Sequence, residues 1–168
     1  MTTNELYRSK RSKIGNMMYD FMRVSTLMLI KHQFLYWLLN FTWGILTTLC
    51  GLLISLILIC CGKKPKKFRY CWYFEVYKHW GGLEMGTMFL RDTTSSDSIN
   101  HHEFGHTCQN AILGPFFIFL VAIPSAIRYW YQIYRESKGL TNKPYDLIWF
   151  EGSATDIGYT TYSKEGGK

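Results

Sequence analysis

Three histidines and a glutamate lie close together in the string HHEFGH, residues 101–106. His102 and His106 are four residues apart, so a helix would place both imidazoles on one face, one turn apart. That spacing suits two ligands of a single Zn²⁺ ion. Glu103 follows the first of these histidines and can take the proton of a water that the metal polarises. The H-E-x-x-H pattern therefore predicts metal-assisted peptide hydrolysis, with Glu103 as the catalytic residue.

A catalytic zinc site usually has a third protein ligand. No histidine follows His106, which excludes the short spacing of the metzincins. The carboxylates downstream of the motif are Glu136, Asp146, Glu151, Asp156 and Glu165. Glu151 is favoured because it begins a predicted helix after a separate turn, and Glu136 and Asp146 remain alternatives. Gln109 lies on the ligand side of the motif helix and can hydrogen-bond a ligand histidine.

The elements around the motif predict an α+β fold. A polar loop at 92–98 supplies N-cap residues for a helix from about Ile99 to Leu113, which Gly114-Pro115 ends. Aromatic-rich residues 68–77 and the stretch 83–91 read as two strands of a small antiparallel sheet, with Gly86 as a possible bulge. Residues 129–137 carry helical propensity, and residues 147–159 predict a second, ligand-bearing helix.

The chain also carries a long apolar segment. No Lys, Arg, Asp or Glu occurs between Lys31 and Lys63, and residues 41–61 form an uncharged run of 21 residues. A helix of that length covers about 30 Å, the thickness of the hydrocarbon core of a bilayer. Residues 34–62 are therefore predicted to form one N-terminal transmembrane helix.

The charge pattern predicts how the chain meets the membrane. The basic residues that follow the apolar segment are Lys63, Lys64, Lys66, Lys67, Arg69 and Lys78. They predict contact with anionic lipid headgroups and a cytoplasmic C-terminal portion. Before the segment, residues 1–33 are basic and fit an amphipathic surface helix or a partial first pass of a hairpin. Residues 63–162 would form the catalytic domain, and residues 163–168 a flexible tail.

Composition excludes several other classes of protein. Aromatic residues make up 17% of the 168 residues and charged residues only 18%, which argues against intrinsic disorder. Five cysteines do not suit a disulfide-stapled miniprotein. The net charge of +7 comes with no zinc-finger, recognition-helix or RNA-binding signature, so no nucleic-acid partner is expected.

The sequence HHEFGHTCQ, preceded by GGLEMGTMFLR and followed by ILGPFFIFLVAIPS, resembles a group of small bacterial zincin-like proteins. The resemblance covers residues 81–158 and implies a gluzincin site, in which Glu151 is the third ligand. Ala154 matches the family's small residue after that glutamate. Where the pattern has an aspartate that holds the first histidine, this chain has Thr155, and Asp156 or Asp146 would have to take its place.

The resemblance also implies a way of binding substrate. In zincins the strand before the active helix is an edge strand that pairs with an extended peptide. The corresponding residues are Met85, Gly86, Thr87 and Met88. A tyrosine often stabilises the oxyanion, and the candidates are Tyr145, Tyr159 and Tyr162.

The sequence thus predicts a membrane-anchored, zinc-dependent metallopeptidase with a compact zincin-like domain. The lipid bilayer and a peptide or protein substrate are the expected partners. Two alternatives remain open. One is a non-catalytic zincin-like membrane protein that binds a partner, and the other is an intramembrane metalloprotease.

Overall fold

A computed structural model describes residues 2–78 and 80–164, with side chains up to residue 160. This part of the chain forms seven α-helices and one four-stranded mixed sheet, which is the predicted α+β class. The helices are α1 Thr3–Tyr7, α2 Lys13–Ile30, α3 Gln33–Phe41, α4 Ile45–Cys60, α5 Ser98–Leu113, α6 Ile123–Ser137 and α7 Trp149–Lys164. The strands are β1 Lys66–Phe68, β2 Cys71–Glu75, β3 Gly82–Met85 and β4 Met88–Arg91.

The sheet has the order β1-β2-β4-β3 and is not purely antiparallel. β2 pairs in parallel with β4, from Trp72 opposite Met88 to Glu75 opposite Arg91. The prediction of a small antiparallel sheet is therefore wrong for this central pair. The predicted strand 83–91 is divided into β3 and β4, whereas the predicted strand 68–77 corresponds to β2, with Phe68 at the end of β1. The order of strands places β4, not its neighbour β3, inside the sheet.

Gly86 lies in the turn between β3 and β4. Met85 pairs with Met88, so only Gly86 and Thr87 connect the two strands. Gly86 has a φ of +73°, a conformation that L-residues with a side chain rarely adopt. A Cβ at this position would also overlap Thr48 of α4. The predicted bulge at Gly86 is thus a tight hairpin turn, which packs against α4.

Helices α5 and α7 form the centre of the molecule, and α2 packs against both. Two glycines allow the close approach of α5 and α7. A Cβ on Gly105 would overlap the backbone of Ala154, and a Cβ on Gly158 would overlap the backbone of His101. The apolar side chains Phe104, Cys108 and Ala111 of α5 pack in a core that also contains Tyr36 and Phe89. Helices α5 and α7 therefore pack closely against each other, with backbone contacts at Gly105 and Gly158.

The single transmembrane helix predicted for residues 34–62 does not form. Helices α3 and α4 meet at an angle of 90°. Asn110 of α5 accounts for the break, because its side-chain nitrogen donates to the carbonyl of Gly44 at 3.3 Å and its oxygen accepts from Thr47 at 2.6 Å. Trp43 in the same corner donates to the carbonyl of Ile112 at 3.2 Å. Contacts with a distant helix thus divide a segment whose composition alone favours one helix.

Within the described residues no helix has, by itself, the length and apolar character that crossing a bilayer requires, although α3 and α4 together meet that test by length and composition. One side of α4 carries Thr48 and Gly51 and packs on the β3–β4 hairpin. The other side, here called the α4 outer face, exposes Leu46, Leu49, Leu52, Leu53, Leu56, Ile57 and Ile59.

The N-terminal helices and the last residues of the chain were both predicted to lie outside the catalytic domain. Helices α1 and α2, in the predicted N-terminal segment 1–33, pack against α7. Of the predicted tail 163–168, residues 163 and 164 belong to α7. Residues 165–168, and with them the candidate ligand Glu165, lie outside the described residues.

Candidate metal centre

His102, His106 and Glu151 meet at the interface between α5 and α7. The Nε2 atoms of the two histidines are 3.1 Å apart. The Glu151 Oε2 atom lies 3.1 Å from Nε2 of His102 and 3.2 Å from Nε2 of His106. The helical spacing of the two histidines and the first turn of α7 thus bring three ligand atoms into one nearly equilateral triangle.

The other nitrogen of each imidazole is already hydrogen-bonded. His102 Nδ1 lies 2.8 Å from the hydroxyl oxygen of Thr155, and that hydroxyl donates its hydrogen to Asp146 at 3.0 Å. A hydroxyl has one hydrogen, so with Asp146 ionised Thr155 accepts from His102, and the proton of His102 is assigned to Nδ1. The Nε2 atom of His102 is left with a free lone pair that points into the triangle.

Gln109 holds His106 in the same manner. The Gln109 side-chain nitrogen donates to the carbonyl of Phe150 and to the hydroxyl of Ser153, both at 2.8 Å. These two bonds orient the amide so that its oxygen faces His106 Nδ1 at 2.8 Å. His106 is then protonated on Nδ1 as well, and it presents a second lone pair to the triangle. This is the position that the sequence analysis assigned to Gln109.

Glu151 supplies the third acceptor atom and is itself fixed from the opposite side. Its other oxygen, Oε1, accepts a hydrogen bond of 2.5 Å from the hydroxyl of Ser125. The side chain is completely buried. Burial acts to raise the pKa of Glu151, and a positive charge at the imidazoles acts more strongly to lower it. A cation within the triangle would lower this pKa in the same way and keep Glu151 ionised. No spacing rule pointed to Ser125, which comes from a different helix.

The triangle fits a zinc ion. Tetrahedral zinc with bonds of roughly 2.0–2.1 Å separates its ligand atoms by about 3.3 Å, close to the separations found here. Two imidazole lone pairs and a carboxylate oxygen have no hydrogen to share, and in a buried site they repel one another unless a cation lies between them. The donor set of two nitrogens and one oxygen is one that zinc accepts. The residues present fit this metal.

Glu103 lies beside the triangle. It lines the same cavity as His102 and His106, and its side chain occupies the space that a Cβ on Gly82 would fill. Burial raises the pKa of Glu103 to about 7, against an opposing effect of His106 and with a contribution from the charge of Glu151. A carboxyl group with such a pKa can both take up and release a proton near neutral pH.

The cavity in front of these residues has a volume of about 570 Å³. One wall is the segment from Gly81 to Glu84, including most of β3. Another part of the lining comes from α6, the π-helical turn before it and Phe117, and it is mostly apolar. Its residues are Phe117, Val121, Ala122, Ser125, Ala126, Tyr129 and Trp130. Tyr145 also lines the cavity, with its hydroxyl oxygen 3.1 Å from that of Ser125.

The residues predicted to bind substrate lie just beyond this wall. Met85, Gly86, Thr87 and Met88 form the hairpin turn, where Gly86 and Met85 contact α4. The stretch of edge strand that faces the cavity is Gly82 to Glu84. In an antiparallel pair, residues alternately direct their backbone groups toward and away from the partner. The backbone nitrogen of Asp92 donates to the carbonyl of Gly81, so Gly82 and Glu84 are the residues that direct their backbone groups away from β4.

Several other predicted residues lie elsewhere. Asp156 accepts hydrogen bonds from Thr3, through its backbone nitrogen at 2.8 Å and its hydroxyl at 2.7 Å, and from the hydroxyl of Tyr19. Its carboxylate therefore joins α7 to the N-terminal helices. Tyr159 stacks on His101, with ring centroids 5.4 Å apart. Glu136, an alternative ligand, is exposed at the end of α6 and accepts from Asn142.

The side chain of Tyr162 is outside the described residues. Of the tyrosines that were candidates for stabilising an oxyanion, Tyr145 is the one that lines the cavity.

Comparison of the chain with models of protein families, with curated proteins and with solved structures gives no match. The geometry of the site is therefore the basis for assigning a function.

Proposed function

We propose that this protein is a zinc-dependent peptide hydrolase of gluzincin type. The observation that carries the proposal is the convergence of His102, His106 and Glu151 on one point, with Glu103 beside them. A zinc ion held by these three side chains would supply a Lewis acid that polarises a carbonyl group and acidifies water. A cavity bordered by an edge strand supports a peptide as the substrate.

The chain's own residues have distinct roles in this mechanism. Gly82 and Glu84 offer outward backbone groups with which an extended peptide pairs as an added strand. Glu103 removes a proton from the attacking water and delivers it to the nitrogen of the leaving group. Burial, together with the charge of Glu151, raises the pKa of Tyr145. Its hydroxyl stays protonated and donates to Ser125, whose own hydrogen goes to Glu151. Rotation of the hydroxyl hydrogen would redirect it to the negative charge that develops on the substrate's carbonyl oxygen.

We further propose that the protein works at a membrane. The α4 outer face exposes large aliphatic side chains, with Leu53 61% and Leu56 59% exposed, and nothing in the described part of the chain covers them. A surface of this kind suits contact with lipid. The lysines that follow α4, at positions 63, 64, 66 and 67, are exposed and suit anionic headgroups. The same run of lysines favours the cytoplasmic side of the membrane for the catalytic residues, which follow it in the chain.

The test of the catalytic proposal is peptide hydrolysis by detergent-purified, zinc-loaded protein. A mixed peptide library is incubated with the protein, and new termini are identified by mass spectrometry. Glu103→Gln should slow cleavage by about 10²–10⁴-fold while the protein still binds zinc, because it removes only the proton acceptor. Glu136→Gln, which changes an exposed carboxylate in the same way, should cleave like the wild type.

Two results would count against hydrolysis. Cleavage that is equally fast in Glu103→Gln would assign it to a contaminating protease. One zinc per chain without any cleavage that depends on Glu103 would favour the alternative of a zincin-like protein that binds a partner.

A further inference from the structure

We propose that Thr155 and Asp146 act together as positioning residues for His102. The imidazole of His102 bonds the Thr155 hydroxyl, and that hydroxyl bonds the carboxylate of Asp146, which does not reach the imidazole directly. This inference rests on the proposed function, because it concerns the residues that orient a ligand of the same metal. In it, two residues from separate elements do what one aspartate does in the pattern that the sequence resembles.

The direction of the hydrogen bonds supports this relay. His102 Nδ1 donates to the Thr155 oxygen at 2.8 Å, and the Thr155 hydroxyl donates onward to Asp146 Oδ1 at 3.0 Å. Each link fixes the next, because a carboxylate can only accept and a hydroxyl has a single hydrogen. The chain of bonds sets the tautomer of His102 and directs Nε2 toward Glu151.

Asp146 is held firmly enough to serve as the anchor. It lies in a short 3₁₀ turn, Tyr145–Leu147, that packs against α7. The guanidinium group of Arg11 donates to the carbonyl of Asp146 at 3.0 Å and to that of Leu147 at 2.9 Å. The N-terminal segment thus fixes the turn from outside. Asp156, the other carboxylate considered for this role, is already bonded to Thr3 and Tyr19.

The two ligand histidines therefore have different supports. His106 is held by Gln109, a neutral amide on its own helix. His102 is held by a carboxylate through a hydroxyl, and both of these residues come from outside its helix. A carboxylate behind an imidazole makes the imidazole a stronger ligand, and loss of such a partner typically weakens metal binding about 10- to 100-fold.

The test is zinc affinity, measured by competition with a chromophoric chelator on the full-length protein. Thr155→Val keeps the shape of the side chain but removes the hydroxyl, and it should weaken binding about 10- to 100-fold. Thr155→Ser keeps the hydroxyl and should stay within about threefold of the wild type. Asp146→Asn should weaken binding about tenfold. It should add nothing to Thr155→Val, because Asp146 reaches His102 only through the hydroxyl.

A rescue and a spectrum separate this role from a general loss of structure. Asp146→Asn combined with Thr155→Asp places the carboxylate directly beside His102 and should bind zinc at least tenfold more tightly than Thr155→Val. The absorption spectrum of the Co²⁺-loaded protein should change in Thr155→Val and remain as in the wild type in Thr155→Ser. Thermal unfolding of the metal-free proteins shows whether each variant folds, and Asp146→Asn provides the test should Thr155→Val not fold.

Two outcomes would overturn the relay in distinguishable ways. If the wild type binds zinc and Thr155→Val and Asp146→Asn bind it equally well, the relay is rejected and the metal site stands. The same conclusion follows if the losses of affinity in the two variants add up in the double variant. Wild-type protein that binds no zinc rejects the proposed function, and the relay with it.

Discussion

The α5–α7 interface and the α4 outer face distribute polar and apolar side chains in opposite ways. Between α5 and α7, buried polar residues such as Gln109, Ser153 and Glu151 lie in the interior. On the α4 outer face, leucines and isoleucines lie on the surface. Each is the reverse of what a water-soluble helix normally shows.

The difference shows what each region requires from its surroundings. The polar side chains between α5 and α7 bond one another, except at the triangle, where three acceptor atoms face one another. A cation would stabilise that arrangement. The α4 outer face has no covering element among the described residues, and an apolar environment is what it lacks. One region thus supports a bound metal, and the other supports contact with lipid.

The largest effect is expected where the two ligand helices touch. Gly105→Val would place side-chain atoms into the backbone of Ala154, which cannot move away without separating α5 from α7. Because the clash is with backbone, we expect a loss at or above the upper end of the roughly 1–3 kcal/mol that overpacking costs in the free energy of unfolding, together with loss of zinc binding. Denaturant unfolding followed by circular dichroism measures the first quantity. Ser137→Ala, at an exposed position of α6, is the control. Wild-type stability in Gly105→Val would mean that the helices are not in this close contact.

The next effect tests the α4 outer face. Leu53→Lys with Leu56→Lys should leave the fold intact, because both side chains point away from the sheet. Burying a leucine side chain contributes about 1.5–3 kcal/mol, so replacing both should lower partitioning into vesicles by tenfold or more. Co-flotation with vesicles of phosphatidylcholine and phosphatidylglycerol measures it. Unfolding, rather than release from vesicles, would show that this face packs against protein.

A smaller effect tests how far the polar interior extends. Tyr19 of α2 is fully buried, and its hydroxyl donates to Asp156 of α7. Tyr19→Phe removes one of the donors to this buried carboxylate and should cost about 1–3 kcal/mol. Denaturant unfolding is again the measurement, with Tyr134→Phe at an exposed position as the control. No loss would indicate that the N-terminal helices contribute little to holding α7.

The smallest effect depends on pH. Glu84 of β3 is buried, and its Oε2 atom has no hydrogen-bond partner. Burial raises the pKa of Glu84 well above its ordinary value, despite the opposing hydrogen bond from the Gly86 nitrogen, and nearby Glu103 raises it further. The unfolded chain has a glutamate pKa of about 4.3. The stability present below that pH is therefore lost progressively as the pH rises toward the folded-state pKa.

Glu84→Gln removes this dependence. The variant should unfold at nearly the same temperature as the wild type at pH 4 and several degrees higher at pH 8. Glu136→Gln, exposed on α6, should show no such trend. Equal melting temperatures of Glu84→Gln and the wild type at both pH values would mean that Glu84 is solvated in the folded protein.

Local signals predicted the elements that carry most of the site. The expected helix from Ile99 to Leu113 is confirmed as Ser98–Leu113, because Gly114 at φ +56° ends it. Helical periodicity alone was enough to place His102 and His106 together. Glu151 lies beside them in the structure, as the pattern of motifs implied.

Contacts between distant residues account for what the sequence did not predict. The break between α3 and α4 depends on Asn110 of α5. The parallel pairing of β2 with β4 joins two separate hairpins, β1–β2 and β3–β4. Ser125 of α6 contacts Glu151, and Thr155 of α7 contacts His102, through the packing of separate helices. No spacing within one element encodes such contacts.

The most direct test of the central claim is the metal content of the purified protein. The wild type, His106→Ala and Glu151→Ala are reconstituted with zinc, freed of excess metal and measured by elemental analysis. We predict one zinc per wild-type chain and a strong loss in both variants. Wild-type protein without zinc after reconstitution, or Glu151→Ala retaining it as firmly as the wild type, would contradict this metal centre.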